Sequence, residues 1–149
     1  KIVQVIEQLN LPVVLLGGKE DQQDADWIAQ QLQQKAILIS NQVGKNNINQ
    51  SAAIVSKATA VVSNDTGMMH IAAALKKPIV SIWGSTVPSF GMTPYYGNLN
   101  ITNRIVESTN IGCRPCSKIG YERCPKGHFN CMNSISEAQV VQAIQAILK

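Results

Sequence analysis

The stretch AVVSNDTGMMHIAAALKKPIVSIWG, residues 60–84, decides the fold of this chain. It contains a short apolar run, a polar Asn-Asp-Thr-Gly tetrapeptide, a longer stretch rich in small residues, and a second apolar run from Pro78 to Gly84. Short apolar runs bounded by turn residues are typical of buried strands, and the longer stretch between them predicts a helix. Two buried strands joined through a helix predict a βαβ unit, in which the strands are parallel.

The same alternation continues on both sides of this unit. Apolar spacing predicts helices over residues 1–10, 21–34, 49–58 and 136–149, and apolar runs predict strands over 13–18, 36–40 and 101–108. Asn49 is the predicted N-cap of the third helix, and Ser136 with Gln139 forms a predicted capping box. Because the strands are apolar throughout and do not alternate, we predict an α/β fold whose parallel sheet is covered by helices on both faces.

The composition is that of an ordinary globular protein. The 149 residues are 45% hydrophobic and 15% charged, which suits one compact domain over residues 1–149. No apolar run approaches the roughly 20 residues of a membrane-spanning helix, and the N-terminus lacks the pattern of a secretion signal. The chain starts at Lys1 in what reads as the middle of a helix, so we expect it to be the C-terminal part of a larger protein.

The net charge of +4 is unevenly distributed. Residues 1–75 carry five Lys and six acidic residues, whereas residues 76–149 carry eight basic and three acidic residues. This excess favours an anionic partner for the second half of the chain, or simply a solvated basic face. A nucleic-acid module is one alternative, but an aromatic content of only 5% leaves few platforms for base stacking.

Three polar loops follow predicted strands and should meet at one edge of the sheet, where open parallel sheets bind their ligands. They are residues 17–21, 43–47 and 64–67. The free amides at the start of the helix after Gly67 can bind phosphate, and Thr66 adds a hydroxyl donor. Asp65 would repel phosphate, so we expect it to cap the helix or brace nearby amides. His70 lies one turn into the helix, on the side that can face a ligand. Asp-Thr-Gly before a helix also occurs as a plain cap.

Residues 61–97 resemble glycosyltransferase family 9, the lipopolysaccharide heptosyltransferases, and so do LPVVLLGGKEDQ (11–22) and CRPC…CPKGHFNCM (113–132). The resemblance implies the C-terminal, Rossmann-like half of a GT-B glycosyltransferase, with an N-terminal acceptor domain absent from this chain. It also implies a donor site. Asp65, Thr66, Gly67 and His70 match the motif that meets the donor diphosphate and sugar. Glu20 and Asp21, after the Gly17-Gly18 turn, match the carboxylate that holds the ribose, and the loop with Gly44, Lys45 and Asn46 borders the base.

The reaction implied by the resemblance is inverting transfer of heptose from ADP-heptose to the lipopolysaccharide inner core. The catalytic base is expected in the absent N-terminal domain, so we expect this segment to bind donor without transferring sugar. The implied partners are the nucleotide sugar, the anionic acceptor and, peripherally, the cytoplasmic face of the inner membrane, with no nucleic acid and no required cofactor. A GT-B transferase or epimerase that uses a UDP-sugar is the alternative within enzymes, and a zinc-containing nucleic-acid module is the alternative outside them.

Four cysteines fall within 19 residues, in a loop at about 113–131. Cys113, Cys116, Cys124 and Cys131 could bind a structural zinc ion, because four thiolates suit tetrahedral zinc. The seven-residue gap in the middle departs from the usual knuckle pairs, so two disulfides or four reduced thiols remain open alternatives. In each case we expect the segment to pin a loop whose cations, Arg114, Lys118, Arg123 and Lys126, meet an anionic acceptor or the membrane surface.

Overall fold

The computed structural model describes residues 1–149 and divides them into two compact units, residues 1–54 and 55–149. The helices are α1 Ile2–Leu9, α2 Gln22–Gln33, α3 Ile48–Lys57, α4 Gly67–Ala74, α5 Asn130–Asn133 and α6 Glu137–Ile147. The strands are β1 Val13–Leu15, β2 Ile39–Asn41, β3 Val61–Asn64, β4 Ile79–Trp83 and β5 Asn103–Glu107. All three strand pairings are parallel, as the sequence predicts.

The first unit is built on the parallel pair β1 and β2, whose register joins Val13 to Ile39. Its core consists of buried and half-buried aliphatic side chains from both strands, from α1 and α2, and from the segment between α2 and β2: Ile6, Leu32 and Ile37, with Val3, Val13, Ile28 and Ile39 packed against them. Helix α1 ends at Leu9, and its C-cap residue Asn10 adopts a left-handed conformation with φ 49°. This end precedes Pro12, and the residue before a proline is biased away from the helical conformation.

Two local predictions in the first unit are wrong. Strand β2 begins at Ile39 and not at Ala36, because Ala36 turns left-handed after α2 with φ 57° and the Ile37 amide bonds the carbonyl of Leu32. This closing turn puts the Ile37 side chain in the core instead of the sheet. The third helix is capped by Asn47 and not by Asn49, since Asn47 Oδ1 accepts from the Gln50 amide at 2.9 Å.

The second unit is a three-stranded sheet in the order β3-β4-β5. Helix α4 packs on β3 and β4, and α6 packs on β4 and β5. The central strand is the most deeply buried element, with Ile79, Val80 and Trp83 all at 0% exposure. A continuous apolar strand of this kind has neighbours on both edges and packing on its faces, so the structure confirms the α/β fold class.

The C-terminal helix begins as predicted. Ser136 Oγ accepts from the Gln139 amide, and Gln139 Oε1 accepts from the Ser136 amide at 2.8 Å, which completes the capping box. Val140, Val141, Ile144 and Ile147 of this helix are buried. None of the six helices has the length and apolar character that a crossing of the bilayer requires.

Candidate functional site

The Asp-Thr-Gly loop lies at the carboxyl end of β3. Asp65 is half-buried, and its Oδ2 accepts a hydrogen bond of 2.9 Å from the hydroxyl of Thr86. Thr86 follows β4, is only 6% exposed, and therefore holds the carboxylate from the neighbouring strand. The predicted capping role of Asp65 is wrong: Thr66 is the N-cap residue of α4, and no side chain caps that helix. The donor to the Asp65 carboxylate is thus the Thr86 hydroxyl and not the helix amides that the sequence predicted.

The N-terminus of α4 is open to a ligand. The first amides of a helix lack the usual helical partner, and no side-chain cap occupies those of α4; the Met69 amide donates to the Thr66 carbonyl at 3.1 Å, which leaves the amides of Gly67 and Met68. Thr66 is exposed, with its Oγ1 at 3.2 Å from Ser63 Oγ. Gly67 is also exposed, and a Cβ built there would meet no atom within 4 Å. The loop thus presents free backbone donors and a hydroxyl at the positive end of a helix dipole, which is an arrangement that binds phosphate groups.

His70 lies on the exposed face of α4. It comes three residues after Gly67, so the two residues share one side of the helix. Met69, Ala72 and Ala73 form the opposite, buried face. The structure therefore leaves His70 exposed on the side of the helix that Gly67 shares, and its contact with a ligand remains a prediction.

The Arg114 side chain is buried and bonded to other groups of the protein, so it is not a surface cation. Its side chain is 5% exposed and forms an ion pair with Glu107 at 2.9 Å. The guanidinium also donates to the carbonyls of Gly84 at 2.6 Å and Thr86 at 2.8 Å, and to that of Ser108. The predicted contact of Arg114 with an anionic acceptor is wrong, because its donors are directed at these protein groups. Lys118, Arg123 and Lys126 are exposed, so the prediction stands for these three cations alone.

Sequence reasoning missed Thr86 and the structural role of Arg114. The position of Thr86 carried a usable signal, since it follows Gly84 at the carboxyl end of a strand adjacent to β3. Parallel strands bring their carboxyl ends to one edge, so a polar side chain there was a candidate neighbour of Asp65. For Arg114 no such signal existed, because its partners lie in distant or irregular segments.

In the first unit, the loops after β1 and β2 meet as predicted. The Gly44 amide donates to the carbonyl of Gly17 at 3.1 Å. Gly44 has φ +70°, and a Cβ there would lie 3.3 Å from the Lys19 Cα, so the close approach requires glycine. The side chains of this loop fold back on it: Lys45 Nζ donates to the Asn41 carbonyl at 2.8 Å, and Asn46 Nδ2 donates to the Gln42 carbonyl at 3.0 Å. They give the loop a defined shape, and their contact with a base stays a prediction.

The neighbouring acidic residues Glu20 and Asp21 have different environments. Asp21 Oδ2 accepts from the Gly18 amide at 3.0 Å, so this carboxylate stabilises the turn before α2. The Glu20 side chain is exposed and folds over Gly18, where a Cβ would collide with the Glu20 carboxylate. Of the two, Asp21 is the carboxylate that is hydrogen-bonded to the Gly18 amide, and the exposed Glu20 carboxylate does not share that bond.

The four cysteines gather in the second unit as free thiols. Cys116, Cys124 and Cys131 line one small cavity. Desolvation and the neighbouring thiols raise the pKa of Cys116, whereas the amides of residues 126–129, led by that of Phe129, lower the pKa of Cys124. No three side chains of the ligand-forming types are arranged to hold a metal ion. The structure therefore has neither disulfides nor a preformed zinc site, and zinc binding stays a prediction.

The comparisons with known proteins agree on one family. Residues 1–123 match the model of glycosyltransferase family 9 (heptosyltransferase). The chain is 30% identical to lipooligosaccharide heptosyltransferase 2 of Haemophilus ducreyi, over 99% of this chain and 41% of that protein. The structure of Escherichia coli ADP-heptose LPS heptosyltransferase II superposes with a TM-score of 0.74 at 26% identity, covering 99% of this chain and 40% of that one.

A family 9 glycosyltransferase from Veillonella parvula shares the fold, with a TM-score of 0.72 at 21% identity over 99% of this chain and 40% of its own. The chain thus spans about two fifths of the length of these relatives. The matched residues include the strand–loop–helix unit around Asp65 and the glycine loops of the first unit. By sequence and by fold, the chain belongs to glycosyltransferase family 9.

Proposed function

We propose that this chain is the donor-binding part of a heptosyltransferase that transfers heptose from ADP-heptose to the inner core of lipopolysaccharide. The observation that carries the proposal is the uncapped N-terminus of α4 beside Thr66 and the open backbone at Gly67. Family membership and the names of the relatives support the reaction class and the sugar. The adenine base is inferred from the Escherichia coli enzyme, which is named for ADP-heptose.

The α4 junction accounts for recognition of the donor diphosphate. In the proposed complex the amides of Gly67 and Met68 and the Thr66 hydroxyl donate to phosphate oxygens, and His70 lies one turn further along the same face. These donors also stabilise the charge that develops on the diphosphate as the bond to the anomeric carbon breaks. Fixed dipoles suit this task because they need no reorganisation during the reaction.

The first unit supplies the nucleoside contacts in this proposal. Glu20 accepts hydrogen bonds from the ribose hydroxyls, since an ionised carboxylate can accept both. The loop of Gly44, Lys45 and Asn46 borders the base. Asp21 and the Gly17-Gly18 turn keep the shape of the ribose subsite, because the Asp21 carboxylate is hydrogen-bonded to the Gly18 amide.

An anionic acceptor at the membrane surface is proposed for the cysteine-rich loop. Lys118, Arg123 and Lys126 are exposed there beside Ile119 at 87% and Tyr121 at 58% exposure. Cations next to exposed apolar side chains suit an anionic lipid surface, and this supports a peripheral location on the cytoplasmic face of the inner membrane.

The acceptor proposal is tested by reversing the three charges together. We expect the triple variant Lys118→Glu, Arg123→Glu, Lys126→Glu to raise the acceptor KM and to weaken sedimentation with anionic vesicles. The single variant Lys57→Glu, an exposed lysine elsewhere, is the control. Unchanged acceptor kinetics in the triple variant would contradict the role of this loop.

The donor proposal is tested by calorimetric titration with ADP, ADP-heptose, UDP and UDP-glucose. We expect the adenine ligands to bind selectively and binding to weaken in Thr66→Ala. Thr109→Ala, which truncates an exposed threonine outside the loop, is the matched control. Transfer itself is assayed in the full-length protein, since we assign no catalytic base to residues 1–149. Selective binding of uridine ligands would keep the transferase class and replace the donor.

A further inference from the structure

We propose that Thr86 and Arg114 are positioning residues that hold the Asp65 carboxylate away from the amides of α4, so that these amides stay free for the donor diphosphate. The inference rests on the proposed function. Neither side chain contacts the proposed ligand in this scheme: Thr86 acts on Asp65, and Arg114 acts on the segment that carries Thr86.

The first step of the argument is the bond between Thr86 and Asp65. A threonine hydroxyl has a single proton to donate, and here it is directed at Asp65 Oδ2 at 2.9 Å. Because Thr86 is only 6% exposed, water does not readily replace it in this bond. The carboxylate therefore has a fixed direction, toward the end of β4.

The second step is the way in which residues 84–86 are held. Their three successive carbonyls all accept hydrogen bonds from the short segment 114–116. Arg114 Nε donates to Gly84 at 2.6 Å, the Cys116 amide donates to Ser85 at 2.9 Å, and Arg114 Nη2 donates to Thr86 at 2.8 Å. The same Nη2 pairs with Glu107 at 2.9 Å, at the end of the adjacent strand β5. A planar guanidinium with several donors can satisfy this set, and a lysine cannot.

The third step concerns the alternative that this network prevents. Asp65 directly precedes Thr66, the N-cap residue, and aspartate near a helix N-terminus is attracted to the free amides. An untethered Asp65 carboxylate would turn toward α4 and compete there with the diphosphate. It would also place a negative charge beside an anionic ligand. The tether from Thr86 removes this competitor from the helix end.

The experiment compares Thr86→Val with Thr86→Ser in the full-length enzyme. Valine has nearly the same shape but no hydroxyl, whereas serine keeps the donor. We expect Thr86→Val to raise the KM for ADP-heptose and the Kd for ADP about tenfold or more, because small displacements of site groups have effects of this size. Thr86→Ser should stay within about twofold of the unaltered enzyme, and the acceptor KM should not change in either variant.

A control for stability is the core variant Val140→Ala in α6, which lowers the melting temperature without touching the loop. We expect its donor KM to be unchanged. Arg114→Lys is the second test: the folded protein should show the same selective loss of donor affinity as Thr86→Val. A Thr86→Val enzyme with unaltered donor KM and Kd would overturn the inference, as would equal losses in the valine and serine variants. An unaltered full-length enzyme that neither binds nor uses ADP-heptose would refute the proposed function, and the inference with it.

Discussion

Replacing Arg114 tests whether burial or distance determines the contribution of an ion pair in this protein. The Arg114–Glu107 pair is 2.9 Å long with side chains 5% and 27% exposed. The Lys35–Glu7 pair is shorter, at 2.6 Å, but its side chains are 41% and 44% exposed. Surface pairs contribute little because water and salt screen them, whereas removal of one partner from a buried pair leaves a charge without compensation.

The expected magnitudes are well separated. Arg114→Met should lower the free energy of unfolding by about 3–5 kcal/mol. The change leaves the Glu107 carboxylate without its ion-pair partner and the carbonyls of Gly84 and Thr86 without their donors. Partial exposure of Glu107 favours the lower end of that range. Lys35→Met, the same kind of replacement at the surface pair, should cost less than about 1 kcal/mol. At about 2–4 °C per kcal/mol for a chain of this size, Arg114→Met should lower the melting temperature by roughly 6 °C or more.

The assay is urea denaturation followed by far-UV circular dichroism and by fluorescence. Trp83 lies fully buried in the unit that contains Arg114, while Trp27 is 56% exposed, so a Trp27→Phe background makes Trp83 the fluorescent reporter. Equal costs for Arg114→Met and Lys35→Met would refute the reasoning. So would a larger cost at the shorter, exposed pair.

Four further outcomes are expected. Cys124 should be alkylated by iodoacetamide at lower pH than Cys116, because backbone amides lower the pKa of Cys124 and desolvation raises the pKa of Cys116. Peptide mass spectrometry after chelator treatment measures the alkylation of both thiols. Release of a stoichiometric amount of zinc by the chelator would establish the zinc site instead. Gly44→Ala should destabilise the protein by about 1–2 kcal/mol because alanine disfavours the left-handed conformation, which Gly44 adopts with φ +70°. Gly67→Ala meets no neighbouring atom, so its urea midpoint should be unchanged while ADP affinity falls; loss of stability there would contradict the open backbone. Burial raises the pKa of Tyr96 to about 12 from 10.0, so the tyrosine ionises at lower pH in the unfolded chain than in the folded protein. The free energy of unfolding should therefore fall as pH rises from 10.0 to about 12. A fall of the same size in Tyr96→Phe would exclude Tyr96 as the cause.

The order of elements could be predicted because it depends on local patterns. Apolar runs around residues 60–63 and 78–84 predicted β3 and β4 to within one residue, and the Ser136 capping box predicted the start of α6. Errors occurred where a nearby contact overrode the pattern. Ile37 belongs to an apolar run, yet the turn after α2 put it in the core beside Leu32.

In the candidate site, too, local patterns were predictable and contacts between distant residues were not. The sequence by itself determined that a polar Asp-Thr-Gly loop joins a strand to a helix, because strand period, turn residues and helix starts are encoded within a few positions. Only the tertiary structure decided the partner of each side chain. Asp65 meets Thr86, which is 21 residues away, and Arg114 meets Thr86 across 28 residues. A carboxylate or a guanidinium bonds whichever donors and acceptors the packed strands and loops bring near it, and that proximity exists only once the chain has folded.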